Sequence, residues 1–203
     1  MATASTQRPT RQRVPAAERR DALITAAVHE FAHGGLHGTP VDHIARRVGV
    51  AQPYVFSLFG SKKELFLAAV ERGFALVAET FARAAADFEP SMVQEGRDVL
   101  HVMGASYVEL LHSDRDYLML QHQAYAACDD EEIRERVRGL YAALVARVER
   151  VAAEASQREG HDPPEPERID EFFRYGMWMN VAAAMGVEER QMGCEWVRAE
   201  GSK

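Results

Sequence analysis

The stretch from Thr39 to Phe66, TPVDHIARRVGVAQPYVFSLFGSKKELF, constrains the fold more than any other, because its apolar spacing describes two short helices locked across one tight corner. Val41, Ile44, Ala45 and Val48 recur at i, i+3, i+4 and i+7, one face of a helix that Thr39 as N-cap and Pro40 as first-turn residue would start. Gly49 stands where the chain must reverse, a position suited to positive φ, and Ala45 is small enough for a second helix to lie close. Val50, Val55 and Leu58 plug that second helix into the same core. Its other face, Gln52, Pro53, Tyr54 and Ser57, is left pointing outward, in the shape of an element that enters a DNA major groove.

Helical patterning extends on both sides of this hairpin. Ala16–His33 reads as a helix with Leu23, Ile24, Ala27, Val28 and Phe31 as its buried stripe and Gly34–Gly35 as its stop. Ser61, with Glu64 three residues on, makes a capping box for a helix whose stripe runs through Phe66, Val70, Phe74, Val77 and Phe81 towards Asp87. After a break at Phe88–Ser91, helices are expected at about 92–112, 114–128 and 130–157. Gln157–Glu167 is a loop, since His161–Pro166 cannot continue a helix, and Arg168–Met185 forms one more. No alternating β-branched segment of useful length occurs, so the chain is expected to be all-α. Residues 1–15 read as a disordered basic arm, 16–60 as a three-helix helix-turn-helix DNA-binding domain, and 61–203 as a helical ligand-binding and dimerisation domain joined to it by the helix over 61–87.

Charge is divided along the same line. Residues 1–63 carry a net +5, whereas the other 140 residues carry −12, within an overall −7. A basic head on an acidic body suits a protein that meets phosphates on one face only.

From about Arg19 to Phe66, including ALITAAVHEFAHGGLHGT and FGSKKELF, the chain resembles the tetracycline-repressor (TetR) family of bacterial transcriptional regulators. The resemblance implies a dimeric repressor that covers a promoter palindrome and lets go when a small molecule enters the second domain. On that footing Gln52, Tyr54 and Ser57 are candidates for base edges, with Pro53 in van der Waals contact, and Thr39, Arg46, Arg47 and Lys62 are candidates for phosphates. Two positions depart from the family. Ala51 stands where a serine usually caps the reading helix, and Phe56 where a tyrosine hydroxyl commonly meets a phosphate, so affinity should lean on the basic residues nearby.

The second domain is expected to hold an apolar or aromatic effector. Met103, Tyr107, Met119, Tyr125, Phe173 and Met177 could line its cavity or simply pack the core, and polar His122 and Gln123, on a helix that otherwise reads as buried, could contact the ligand, with a neighbouring carbonyl as the alternative partner of His122. The segment Arg168–Met185 is apolar nearly all round and must be covered on two sides. A second copy of the chain would supply one, across Trp178, Val181, Ala182 and Met185 together with Tyr141, Leu144 and Val148 of the preceding long helix.

No cofactor and no metal are expected. His29, His33 and His37 recur every four residues, but Gly34–Gly35 should end their common face before His37, and no thiolate or carboxylate cluster accompanies them in the sequence. Cys128 and Cys194 are too few for a disulfide scaffold. There is no glycine-rich phosphate loop and no GxSxG elbow. No apolar run reaches membrane-spanning length and no signal core precedes residue 16, which predicts a cytoplasmic protein. Two alternatives stand beside the regulator: a ligand-independent architectural DNA-binding protein, whose second domain would be filled by side chains, and a helical small-molecule carrier or enzyme that keeps the head as scaffold.

Overall fold

The computed structural model describes residues 15–89 and 98–187. The expected arm up to residue 14, the first turn of the helix expected from about 92, and Cys194 lie outside the described residues. Those described form eight helices and no strand: α1 Ala16–Gly38, α2 Val41–Val48, α3 Gln52–Phe59, α4 Lys62–Ala86, α5 Val99–Ser113, α6 Arg115–Ala126, α7 Glu131–Arg158 and α8 Pro166–Met185.

The corner between α2 and α3 is made as its residues require. Gly49 ends α2 in the left-handed region at φ 70 and ψ 35, and its N–H and that of Val50 return to carbonyls of Arg46 and Ala45. Val41, Ile44, Ala45 and Val55 are buried, and Phe59 joins them from the last turn of α3, while Val50 and Leu58 pack at the margin. Behind them α1 supplies Leu23, Ala27 and Phe31, all fully buried. The Phe31 and Phe66 rings meet edge to face at 5.1 Å, fastening α4 to the head.

One local reading needs correction. Thr39 does not cap α2; Pro40 occupies that position, and the Thr39 hydroxyl donates instead to the Glu30 carbonyl at 3.0 Å. The stop expected at Gly34–Gly35 is where α1 breaks: Gly35 leaves the helical region at φ 63 and ψ −178, and one further turn runs on to Gly38 beyond the kink. Ser61 caps α4 as expected, its side chain accepting from the Glu64 N–H at 3.1 Å.

The core behind the head does not end at residue 60. Leu120, Ala124 and Ala127 of the α6 region and Ile133 and Val137 of α7 belong to it. A second core, around Phe81, Leu100, Met103, Val148, Phe172 and Ala182, fills the far end of the body. Thus α4 and α6 each touch both cores.

Candidate DNA-reading face and ligand cavity

On α3 the structure leaves Gln52, Pro53, Phe56 and Ser57 exposed, on the side away from buried Val55 and Phe59. Tyr54 is only half exposed. Its ring packs against the core margin with the Arg19 guanidinium 5.9 Å from its centroid, so it is partly committed to holding α1 against α3. The Ser57 hydroxyl donates to the Tyr54 carbonyl at 2.7 Å.

The expected phosphate ligands divide. Thr39 is 2% exposed and its hydroxyl is spent on Glu30, so that side chain is not presented to a phosphate. Arg46 is well exposed, in an i,i+4 pair with Asp42 at 2.9 Å, while Arg47 pairs with Glu30. Such surface pairs are worth little and can be exchanged for a phosphate. Lys62 reaches back to donate to the His37 carbonyl at 3.1 Å, and its partial burial lowers its pKa. Lys63, not singled out from the sequence, bonds Asp130 at 2.8 Å and Glu132 at 2.9 Å, which raises its pKa and ties α4 to the start of α7.

In the body, α4, α5, α6 and α8 enclose a cavity of about 430 Å³, with Tyr141 and Leu144 of α7 closing one side. Its wall is mostly apolar, with Val77, Phe81, Leu111 and Met179 among the lining side chains. Tyr107, Gln121 and Asn180 form one connected polar cluster in it. The Tyr107 hydroxyl lies 2.5 Å from the Asn180 side-chain oxygen and 3.2 Å from that of Gln121, whose amide donates to the Tyr125 hydroxyl at 2.7 Å. Burial pushes the Tyr107 hydroxyl well above the ordinary phenol range.

Of the residues expected to line this cavity, Tyr107, Phe173 and Met177 do so. The others are elsewhere. Met103 is fully buried in the second core. Met119 and Gln123 lie on the opposite face of α6, against the head, where the Gln123 amide lies beside Gly35. The His122 ring bonds the Asn180 backbone carbonyl at 3.2 Å behind the wall, and Tyr125 backs Gln121. For Met119 and Gln123 the cause is helical phase: Tyr117, Leu118, Leu120 and Gln121 face the cavity, and residues two positions to either side of Gln121 stand about 200° round the helix from it.

The expected dimer residues divide in the same way. Trp178, Val181 and Met185 are 46%, 42% and 63% exposed on one side of α8. Leu144, Val148 and Ala182 are buried within the chain, and Tyr141 lines the cavity. The outer face of α7 is instead Gly139, Ala142, Ala143 and Ala146.

One cluster escaped the sequence reading. His29 and His33, on the outer side of α1, both face Asp116 of α6: His29 Nδ1 is 2.6 Å from one carboxylate oxygen and His33 Nε2 is 3.2 Å from the other. The carboxylate thought to be lacking arrives from 83 residues down the chain. A signal was present, since residues 29–33 read His-Glu-Phe-Ala-His, the HExxH spacing of helix-borne metal ligands. Cys128 is a free thiol donating to the Ala124 carbonyl, and burial raises its pKa. No described helix is long and apolar enough to cross a membrane.

Residues 23–69 match the family described as bacterial regulatory proteins, tetR family. Over 60 residues the chain is 43% identical to the HTH-type transcriptional activator FasR of Mycolicibacterium smegmatis, which covers 30% of this chain and 27% of that protein; the match spans about a quarter of the relative's length. Similar solved structures extend over nearly the whole fold. A TetR-like transcriptional regulator from a Rhodococcus species superposes with a TM-score of 0.62 at 20% identity, covering 93% of this chain and 94% of that one. FadR from Bacillus subtilis, in complex with stearoyl-CoA, gives 0.63 at 15% identity, covering 88% and 91%. Residues 23–69 thus match the DNA-binding head of the TetR family, and the helices behind it share the fold of TetR-like regulators of known structure.

Proposed function

We propose that the chain is a dimeric transcriptional regulator that binds a palindromic DNA operator through α3 and releases it when an apolar ligand enters the cavity. The observation that carries this reading is the position of α4 and α6. Each lines the cavity on one side and packs against the head on the other, through Phe66 in α4 and Met119 and Ala124 in α6. A ligand that wedges these helices apart changes the angle of the head, and with it the spacing of two heads in a dimer. It shifts the equilibrium only by as much as it prefers the released spacing.

The cavity also bears on the ligand. Its volume falls within the range of roughly 300–1,000 Å³ usual for small-molecule sites. Among the described residues lining it there is no lysine or arginine, and the acid Asp114 is present as well as His101, so the wall is poorly suited to a fully buried anion. A long apolar chain with at most a neutral polar group fits, its hydrogen bonds made to Tyr107, Gln121 or Asn180. The stearoyl-CoA bound by the Bacillus subtilis FadR is of this kind if the acyl chain enters and the charged remainder stays outside. An open cavity also favours a ligand-responsive protein over the architectural alternative. A dimer would cover Trp178, Val181 and Met185 and the small residues on the outer face of α7, which allow close helix approach.

Selection of bound fragments from random duplex DNA, followed by gel shift with and without long-chain acyl-CoA and free apolar ligands, tests the reading. Recovery of a palindrome whose complex dissociates with one of these ligands supports it. Failure to enrich any sequence overturns it, and an enriched operator indifferent to every ligand overturns the release mechanism.

A further inference from the structure

We infer that His29, His33 and Asp116 form a binding site for a borderline divalent metal ion such as Zn²⁺, which clamps α1 of the head to α6 of the body. The three side chains present one ligand atom each, all within 4.8 Å of one another. Two imidazoles and a carboxylate are the donor set that zinc takes at about 2.0–2.1 Å, with water free to complete a tetrahedron. Ligand atoms of such a site stand about 3.3 Å apart, given those bond lengths. The two contacts to Asp116, at 2.6 and 3.2 Å, both fall short of this value, so the donors are already close enough to share an ion and need only open slightly around it. Closing the remaining gap takes rotation of His33, whose side chain is 62% exposed and free to turn, and the rings already lie edge to face with centroids 4.8 Å apart.

The arrangement is more than a chance surface cluster, because the donors come from both sides of one helix contact. His29 and His33 are one turn apart on α1, and Asp116 sits in the first turn of α6, where Asp114 caps the helix and fixes its entry. A hydrolytic role is disfavoured by Glu30, the acid of the HExxH spacing. Its carboxylate is bound by Arg47, with His43 at 3.9 Å, and cannot serve as a base towards metal-bound water. The ion therefore acts as a fastener between head and body, and the site stands whether or not the chain binds DNA.

The test uses the full chain, stripped with chelator and then titrated with Zn²⁺ by calorimetry and with Co²⁺ by visible absorption. One ion per chain is expected, with Co²⁺ bands of low-symmetry coordination and a rise in the thermal midpoint on adding Zn²⁺. His33→Gln keeps a hydrogen-bonding group beside Asp116 but supplies a poor ligand, and it should weaken Zn²⁺ at least tenfold and abolish the thermal shift. Asp116→Asn should do the same, whereas His37→Ala and His112→Ala should leave binding unchanged. Equal affinity in His33→Gln, Asp116→Asn and the parent chain, or no binding to the parent, overturns the assignment.

Discussion

The Tyr107 hydroxyl donates to the Asn180 side-chain oxygen at 2.5 Å, joining α5 to α8 in the wall of the cavity, with both residues almost wholly buried. Having one proton, the hydroxyl serves the nearer oxygen and leaves Gln121 at 3.2 Å as a weaker second acceptor. A ligand with its own donor would find that Gln121 oxygen incompletely used.

Tyr107→Phe is accordingly expected to cost about 1–2 kcal/mol at neutral pH, because Asn180 stays buried without its donor. The pH dependence has a definite sign. Burial raises the Tyr107 pKa above its unfolded value, so the neutral form is held, and the stability tied to it is present below about pH 10 and lost as pH rises through the folded pKa. Urea unfolding should therefore show the gap between parent and variant narrowing above about pH 10. A constant gap from neutral to alkaline pH would show that this hydroxyl is not held protonated.

Gly35→Ala should destabilise the chain through two separable causes. The backbone at φ 63 and ψ −178 is a conformation essentially restricted to glycine, worth of order 1–3 kcal/mol of strain to any other residue. An added Cβ would also stand 2.6 Å from the Gln123 side-chain oxygen. Gln123→Ala removes the clash but not the strain, so the double variant should recover only part of the loss. Full recovery in denaturant unfolding would mean that the backbone at 35 relaxes freely.

The contrast between Gly49 and Gly35 illustrates what a sequence discloses. The turn at Gly49 was legible because its apolar partners lie within ten residues on either side, and helix periodicity reports such local arrangements directly. The break at Gly35 was legible in the Gly34–Gly35 pair, but the Gln123 side chain packed against it comes from 88 residues away, and no local pattern encodes that contact. The same limit applies to α6. The sequence marks YLMLQHQAY as a buried helix carrying polar residues, but which face meets the cavity depends on the head packing against the other, so Met119 and Gln123 meet the head instead of the cavity. On α7 and α8 the apolar stripes were legible, whereas their division between core and outer surface was not. Asp116 shows the limit at its plainest, since a three-donor cluster needs a tertiary contact to exist.

Trp178→Ala is expected to weaken self-association by roughly 30-fold or more, the effect of about 2 kcal/mol at a buried aromatic anchor. Val181→Glu should separate the copies at micromolar concentration by placing a charge in the covered face. Analytical ultracentrifugation reads both. Since Trp178 and Val181 are 46% and 42% exposed in the single chain, neither change should much affect secondary structure by circular dichroism. A dimer indifferent to both substitutions would place the interface elsewhere.

The reading helix predicts two distinguishable losses. Gln52 is exposed in the first turn of α3 and carries an amide able to pair bidentately with adenine, so Gln52→Ala should cost about 1–3 kcal/mol on the operator and little on random duplex. Arg46 on a phosphate would supply charge and N–H donors but read no base. Arg46→Ala should weaken both DNAs alike and reduce the salt slope by about one unit. Because Arg46 is held by Asp42 at 2.9 Å, Asp42→Ala should strengthen binding to both by freeing it. Tyr54→Phe separates the two roles of that residue, keeping the ring against Arg19 and deleting the hydroxyl, so any loss confined to the operator belongs to a base contact rather than to packing. If Gln52→Ala weakens operator and random duplex equally, α3 lies along the backbone and does not enter the groove.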